Sequence, residues 1–207
     1  MTSITCTAQL FGGGVNDWGA VYRLSPPTAG HQWKESVIYS FDQSNRGIIS
    51  PEGPVAFNSS GVLYGTTALG GDPNCQGGYG CGVIFQLSRF LQKNKPWTYS
   101  TVYDFKGGND GIEPTGYMAF DSKDNLYSTT NRGGEAQGGI AFRLKPGTEN
   151  STSWTETVLH WFPKTKKDGF DPIGGLTWGK WGELYGVASE GGIGCQTGCG
   201  TVFVISP

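Results

Sequence analysis

Histidine and basic residues are scarce in this chain, with two and fifteen of them in 207 residues, and each shortage removes a class of protein. Two histidines, His31 and His160, are too few for a multi-histidine metal centre. No G-x-S-x-G, P-loop or dinucleotide fingerprint accompanies them. Fifteen basic against seventeen acidic side chains leave a net charge of −2, and the densest basic stretch is Lys164-Thr165-Lys166-Lys167. Nucleic-acid affinity rests on phosphate neutralisation, so no nucleic acid partner is expected. No apolar run approaches the roughly 20 residues that cross a bilayer. Met1 to Gly12 lack the basic start and apolar stretch of a signal peptide, so neither a membrane span nor an export signal is expected here.

Glycine, in contrast, is abundant: 35 residues, without a G-X-Y period and beside an aromatic content of 13%. Collagen lacks those aromatics, and a disordered segment lacks enough apolar surface to match them.

The chain repeats itself. Gly19-Ala-Val-Tyr-Arg-Leu24 returns as Gly82-Val-Ile-Phe-Gln-Leu87, Gly139-Ile-Ala-Phe-Arg-Leu144 and Gly200-Thr-Val-Phe-Val-Ile205, at spacings of 63, 57 and 61. Trp33 to Phe41 matches Trp97 to Phe105 and Trp154 to Phe162. Pro51-Glu-Gly-Pro-Val-Ala-Phe57 matches the segments opening at Pro114 and Pro172. Leu63-Tyr-Gly-Thr-Thr67 matches Leu126-Tyr-Ser-Thr-Thr130 and Leu184-Tyr-Gly-Val-Ala188. Each segment is a short β-branched and aromatic run between Gly, Pro, Asn or Asp, the pattern of a strand between turns. In chain order the unit reads A (Pro51 type), B (Leu63 type), C (Gly82 type) and D (Trp97 type). The chain is expected to be a single all-β repeat domain over 1–207, with partial unit 1–50, full units 51–113 and 114–171, and partial unit 172–207.

Four-stranded antiparallel sheets that stack radially make a β-propeller. The reading opens on a degenerate B strand around Ile4 to Gln9 and closes on a C strand, about three and a half blades per chain. An irregular four-bladed ring is one solution. Completion by a second chain is favoured, because it covers strand edges that both partial units leave open.

Asp110-Gly-Ile-Glu-Pro114, Asn125-Leu-Tyr-Ser-Thr-Thr130, Gly133-Gly134 and Ile140-Ala-Phe142 together resemble the bacterial GloVer tandem repeat, a DG-x-x-P turn followed by GNLYGTT, GG and GTVF. Leu63 to Thr67 and Gly200 to Phe203 match it most closely, whereas Asn45-Arg-Gly47 departs from its Asp-Gly turn. The resemblance implies a repeat protein of the extracellular or cell-envelope kind and supplies no catalytic residues; because the sequence starts and ends within a unit, a fragment of a longer array is expected.

Four of the five cysteines form local pairs in equivalent B-to-C loops, Cys75 with Cys81 and Cys195 with Cys199, spaced for loop disulfides in an oxidising compartment. A zinc site from both pairs has the wrong spacing and no histidine. Cys6 is odd, and burial as a small apolar residue is its simplest role.

In a propeller the D-to-A and B-to-C loops share one face, and binding groups concentrate on such loops. Glu113, Glu135 and Glu190 on that face are candidate catalytic carboxylates, with Glu113 and Asp171 candidate ligands for a divalent metal, Ca²⁺ or Zn²⁺. Asp110 and Asp168 precede turn glycines and are candidate ligand-binding groups as well as turn formers. Trp18 and Tyr79 break the repeat pattern and are candidates for stacking on a sugar or other small molecule. His160 replaces Tyr39 and Tyr103, so ring packing competes there with a role as general base. The expected function is a ligand-binding or adhesive propeller, a homodimer that engages a carbohydrate or small molecule. A metal-dependent hydrolase of esters, lactones or phosphotriesters, and a structural repeat without ligand, are the alternatives.

Overall fold

A computed structural model describes residues 5–10, 12–27, 32–42, 50–89, 96–148, 153–165, 167–194 and 198–207. His31, Asn45 to Gly47, Cys195 and the Cys6 side chain lie outside the described residues. Among the described residues fourteen strands form four small antiparallel sheets. Sheet 1 holds β1 (Thr5–Leu10), β2 (Ala20–Ser25) and β3 (Lys34–Ser40). Sheet 2 holds β4 (Ala56–Phe57), β5 (Leu63–Thr67), β6 (Val83–Ser88) and β7 (Thr98–Asp104). Sheet 3 holds β8 (Ala119–Phe120), β9 (Leu126–Thr130), β10 (Gln137–Lys145) and β11 (Thr155–Pro163). Sheet 4 holds β12 (Leu176–Trp178), β13 (Leu184–Ala188) and β14 (Thr201–Ile205). Every sheet is a meander in chain order, so the A, B, C, D reading of the sequence holds strand by strand. The degenerate first strand lies one residue later than its sequence signal, over Thr5–Leu10. Among the described residues no helix is long and apolar enough to cross a membrane.

The repeat extends to irregularities. Strands C and D slip register at one equivalent place in three sheets, between Val21 and Tyr22, Ile84 and Phe85, and Ala141 and Phe142, and in sheet 3 they slip once more between Gln137 and Ile140. A bulge at one fixed place in each unit bends the outer strand and increases its twist. The second Thr of the LYGTT segment closes the B-to-C turn: Thr67 Oγ1 donates to the Leu69 carbonyl and accepts from the Val83 N–H, and Thr130 Oγ1 does the same with Arg132 and Ile140.

Side chains alternate across a strand, so each inner sheet feeds two cores. Val83, Phe85 and Leu87 of β6 join Val21 and Phe41 between sheets 1 and 2, whereas Ile84 joins Leu126, Ile140, Phe142 and Leu144 between sheets 2 and 3. Tyr127, Ala141, Leu176 and Leu184 fill the space between sheets 3 and 4. The first strands of sheets 3 and 4 approach so closely that a Cβ on Gly116 would lie 2.5 Å from the Gly175 Cα, and the Leu176 N–H donates to the Tyr117 carbonyl.

Among the described residues the series has two bare faces. Trp97 and Trp154 pack into the sheet 1–2 and sheet 2–3 cores, but Trp33, their counterpart on sheet 1, is 51% exposed. On sheet 4, Tyr185, Val187, Val202 and Val204 point away from sheet 3 and are exposed.

Candidate functional site

The D-to-A and B-to-C loops meet at one end of the sheets. Ile112 and Arg132 exchange backbone hydrogen bonds, Phe170 and Glu190 do the same one unit later, and the Gly134 N–H donates to the Gly108 carbonyl. Ahead of β4, β8 and β12, the residue before proline takes a left-handed conformation: Ser50, Glu113 and Asp171, with φ of 68°, 60° and 53°. Such strain in a non-glycine residue persists only where the surroundings fix it. Here the Glu113 N–H donates to the Cys81 carbonyl and its own carbonyl accepts from Asn131, so it ties two sheets together, and Asp171 does so through Gly138 and Ser189.

This explains the placement of most candidate carboxylates. Glu113 and Asp171 stand at equivalent positions one unit apart, not side by side in one unit. The Glu113 carboxylate pairs with the Arg132 guanidinium at 3.5 Å. Glu52 is pushed up in pKa by partial burial and by that nearby carboxylate. Glu190 serves by its backbone, Glu135 is an exposed turn residue, and Asp168 accepts from Thr165 Oγ1 at 2.8 Å. Among the described residues no three His, Cys, Asp or Glu side chains gather as a metal site would require.

The two Asp-Gly turns differ. Gly111 takes φ of 87°, the conformation expected of a turn glycine, but Gly169 does not, and is required instead because a side chain there would strike Thr201. The candidate rings also separate. Trp18 packs against the sheet 1–2 core, His160 sits edge-on to Phe162 as Tyr39 and Tyr103 do to Phe41 and Phe105, and Tyr79 is 65% exposed.

Cys75 and Cys81 are bonded, with Cα atoms 5.5 Å apart. Their sulfurs are not at the loop tip: both residues are buried in the sheet 2–3 core, against Gly107. The bond therefore anchors the base of the loop that carries Tyr79. Cys199 is also disulfide-bonded.

Beside this loop lies a cavity of about 530 Å³, lined by Gly71, Asp72, Pro73, Asp104 and Lys106. Asp72 Oδ1 accepts from the Asn74 backbone and side chain, and Lys106 Nζ lies 3.4 Å from Asp72 Oδ2. The Asn74 N–H, aided by the Lys106 ammonium, holds the Asp72 carboxyl below its usual pKa. The Gly70 N–H donates to the Tyr79 carbonyl, which draws the aromatic loop alongside the cavity wall.

A second polar cluster escaped sequence reasoning. Asp110 accepts from the Tyr103 hydroxyl and the Lys106 N–H, and Glu156 of β11 approaches the same group from sheet 3. Burial, then the Asp110 carboxylate, push Glu156 up to about 9, and burial with Asp110 also raises Tyr103. The available signal was position: Glu156 stands where the second unit has Tyr99, on the side of the strand that faces the preceding sheet.

Repeated three- and four-strand meanders stacked core to core, with their loops gathered at one end, define an all-β tandem-repeat protein. The chain belongs to the Gloeobacter/Verrucomicrobia repeat family, whose model matches residues 7–207. A search of curated proteins found no match.

Proposed function

We propose that the chain is an arc of a β-propeller that acts as a non-catalytic binding module and takes a small polar ligand, of carbohydrate type, at its loop end. The radial reading draws support from the meander of each sheet, complete from A to D in sheets 2 and 3, and from the parallel bridge between Tyr117 and Gly175 just ahead of β8 and β12. One observation carries the binding reading: the cavity beside Lys106, Asp72 and Asp104 adjoins a disulfide-anchored loop that holds an aromatic ring out to solvent. Carboxylate and ammonium groups match sugar hydroxyls, and an exposed ring matches the apolar face of a pyranose. A secreted or envelope setting fits a disulfide in the core.

Calorimetric titration with a panel of neutral oligosaccharides tests this. The expected result is saturable binding without turnover, weakened roughly tenfold or more by Tyr79→Ala and by Lys106→Ala. Trp181→Ala is the control, because Trp181 is exposed on the turn between β12 and β13. No saturable binding, or equal loss in the Trp181 variant, overturns the reading.

Hydrolysis of an ester, lactone or phosphotriester is the second reading. It is favoured by the Asp110 and Glu156 pair, a carboxylate beside a protonated carboxyl, which is the pattern of an acid and base at work. Turnover of a nitrophenyl ester that Glu156→Gln abolishes would put it first.

A further inference from the structure

We infer that the bare face of sheet 4 is a docking surface for a second copy of this chain, which seats its sheet 1 there with Trp33 against Tyr185. The inference rests on the radial reading above only for the shape of the product. The contact itself follows from the order of the stack.

Among the described residues three sheet-to-sheet contacts occur, and the one between sheets 2 and 3 shows both halves of a pattern whose single halves recur in the others. On the leading side, Tyr64 of sheet 2 and Tyr127 of sheet 3 are buried by the sheet that follows. Tyr185 is the same residue of the LYGTT segment in sheet 4, and it is 38% exposed, with Val202 beside it at 76%. A cavity of about 610 Å³ opens on this face, with Tyr117, Leu176, Tyr185, Val187 and Val202 in its wall. On the trailing side, Trp97 and Trp154 pack against the sheet that precedes them, and Trp33 and Val37 on sheet 1 are exposed. The two bare faces are therefore the two halves of the contact already made between sheets 2 and 3. The template is specific: the Trp154 ring meets Tyr64 at 5.8 Å, edge to face, and the corresponding pair across two copies is Trp33 with Tyr185.

A head-to-tail contact of this kind is heterologous: it closes into a ring if the rotation allows and runs on as a filament if it does not. Contiguous exposed apolar surface on a monomer marks such sites. A second copy is the occupant that presents the matching Trp and aliphatic face, since it carries the same sheet 1.

Sedimentation velocity and native mass spectrometry of the 207-residue chain over a concentration series test the inference. The expected result is a discrete dimer that Val202→Glu or Trp33→Glu each reduces to monomer, with melting temperatures that match the parent's at concentrations where the parent too is monomeric, because both side chains are exposed in the single chain. Mixing the two variants restores a dimer, because one intact pair of faces survives between them. Tyr185→Ala weakens dimerisation roughly tenfold or more. A chain monomeric at every concentration, or a dimer that both glutamate variants retain, overturns the inference. Filaments abolished by the same variants uphold the pairing of faces and overturn the radial arrangement.

Discussion

Sheets 3 and 4 are built from the same sequence pattern and differ in what covers them. Tyr127 and Ala141 are buried, whereas their counterparts Tyr185 and Val202 are exposed. Sheet 3 is a partner on both faces; sheet 4 has its core on one face and an aliphatic surface on the other. Strand alternation thus decides which residues share a face, and only the neighbouring sheet decides whether that face is core. In a repeat stack, stability is close to a sum of terms within units and between neighbours. The two sheets should then respond very differently to the same kind of substitution.

Truncation of a large core ring shows the widest gap. Phe142 is fully buried in the sheet 2–3 core, edge-on to Phe105 at 5.3 Å. Phe142→Ala should cost about 3–5 kcal/mol in a denaturant titration. Val202→Ala, on the bare face, should stay within about 0.5 kcal/mol in the monomer. If the two losses are comparable, the face of sheet 4 is covered in solution and the comparison fails.

Next in size is the buried disulfide. Cys75 and Cys81 lie six residues apart, so their bond closes a short loop worth about 2 kcal/mol in chain entropy. Because both residues also fill the sheet 2–3 core, a Cys75→Ala/Cys81→Ala variant should lose more than entropy alone when its melt is compared with the parent. Reduction of the parent without substitution isolates the entropic part, since the sulfurs remain to fill their space.

These cases mark what was legible in the sequence. Strand order, the partial first and last sheets and the packing of Trp97 and Trp154 could be read from the repeat, because local turn chemistry and alternation repeat with it. The exposure of Trp33 could not, since its sequence context matches that of two buried tryptophans. The candidate carboxylates were legible as loop residues but not as a site: Glu113 and Asp171 hold equivalent backbone positions in successive units, and Glu190 acts through its backbone. Glu156 was missed because its partner Asp110 lies on the preceding sheet, so their meeting depends on how two units dock and not on either unit alone.

That cluster gives the subtlest contrast between covered and bare sheets. Glu156 and Glu35 hold equivalent strand positions, but Glu156 is turned into the sheet 2–3 contact and Glu35 is exposed on sheet 1. Burial and Asp110 raise Glu156 from 4.5 to about 9, so between those values the folded chain keeps a proton that the unfolded chain has lost. Stability linked to this group is complete below about pH 4.5 and falls as pH rises toward about 9. Glu156→Gln supplies a neutral amide of the same shape. It should therefore flatten the decline, matching the parent near pH 4.5 and exceeding it in melting temperature at pH 8 to 9 (on the order of a few degrees). A parent whose stability rises from pH 5 to 8, or a Glu156→Gln profile that runs parallel to the parent's, would mean that the carboxyl is ionised in the folded chain and that sheets 2 and 3 do not enclose it.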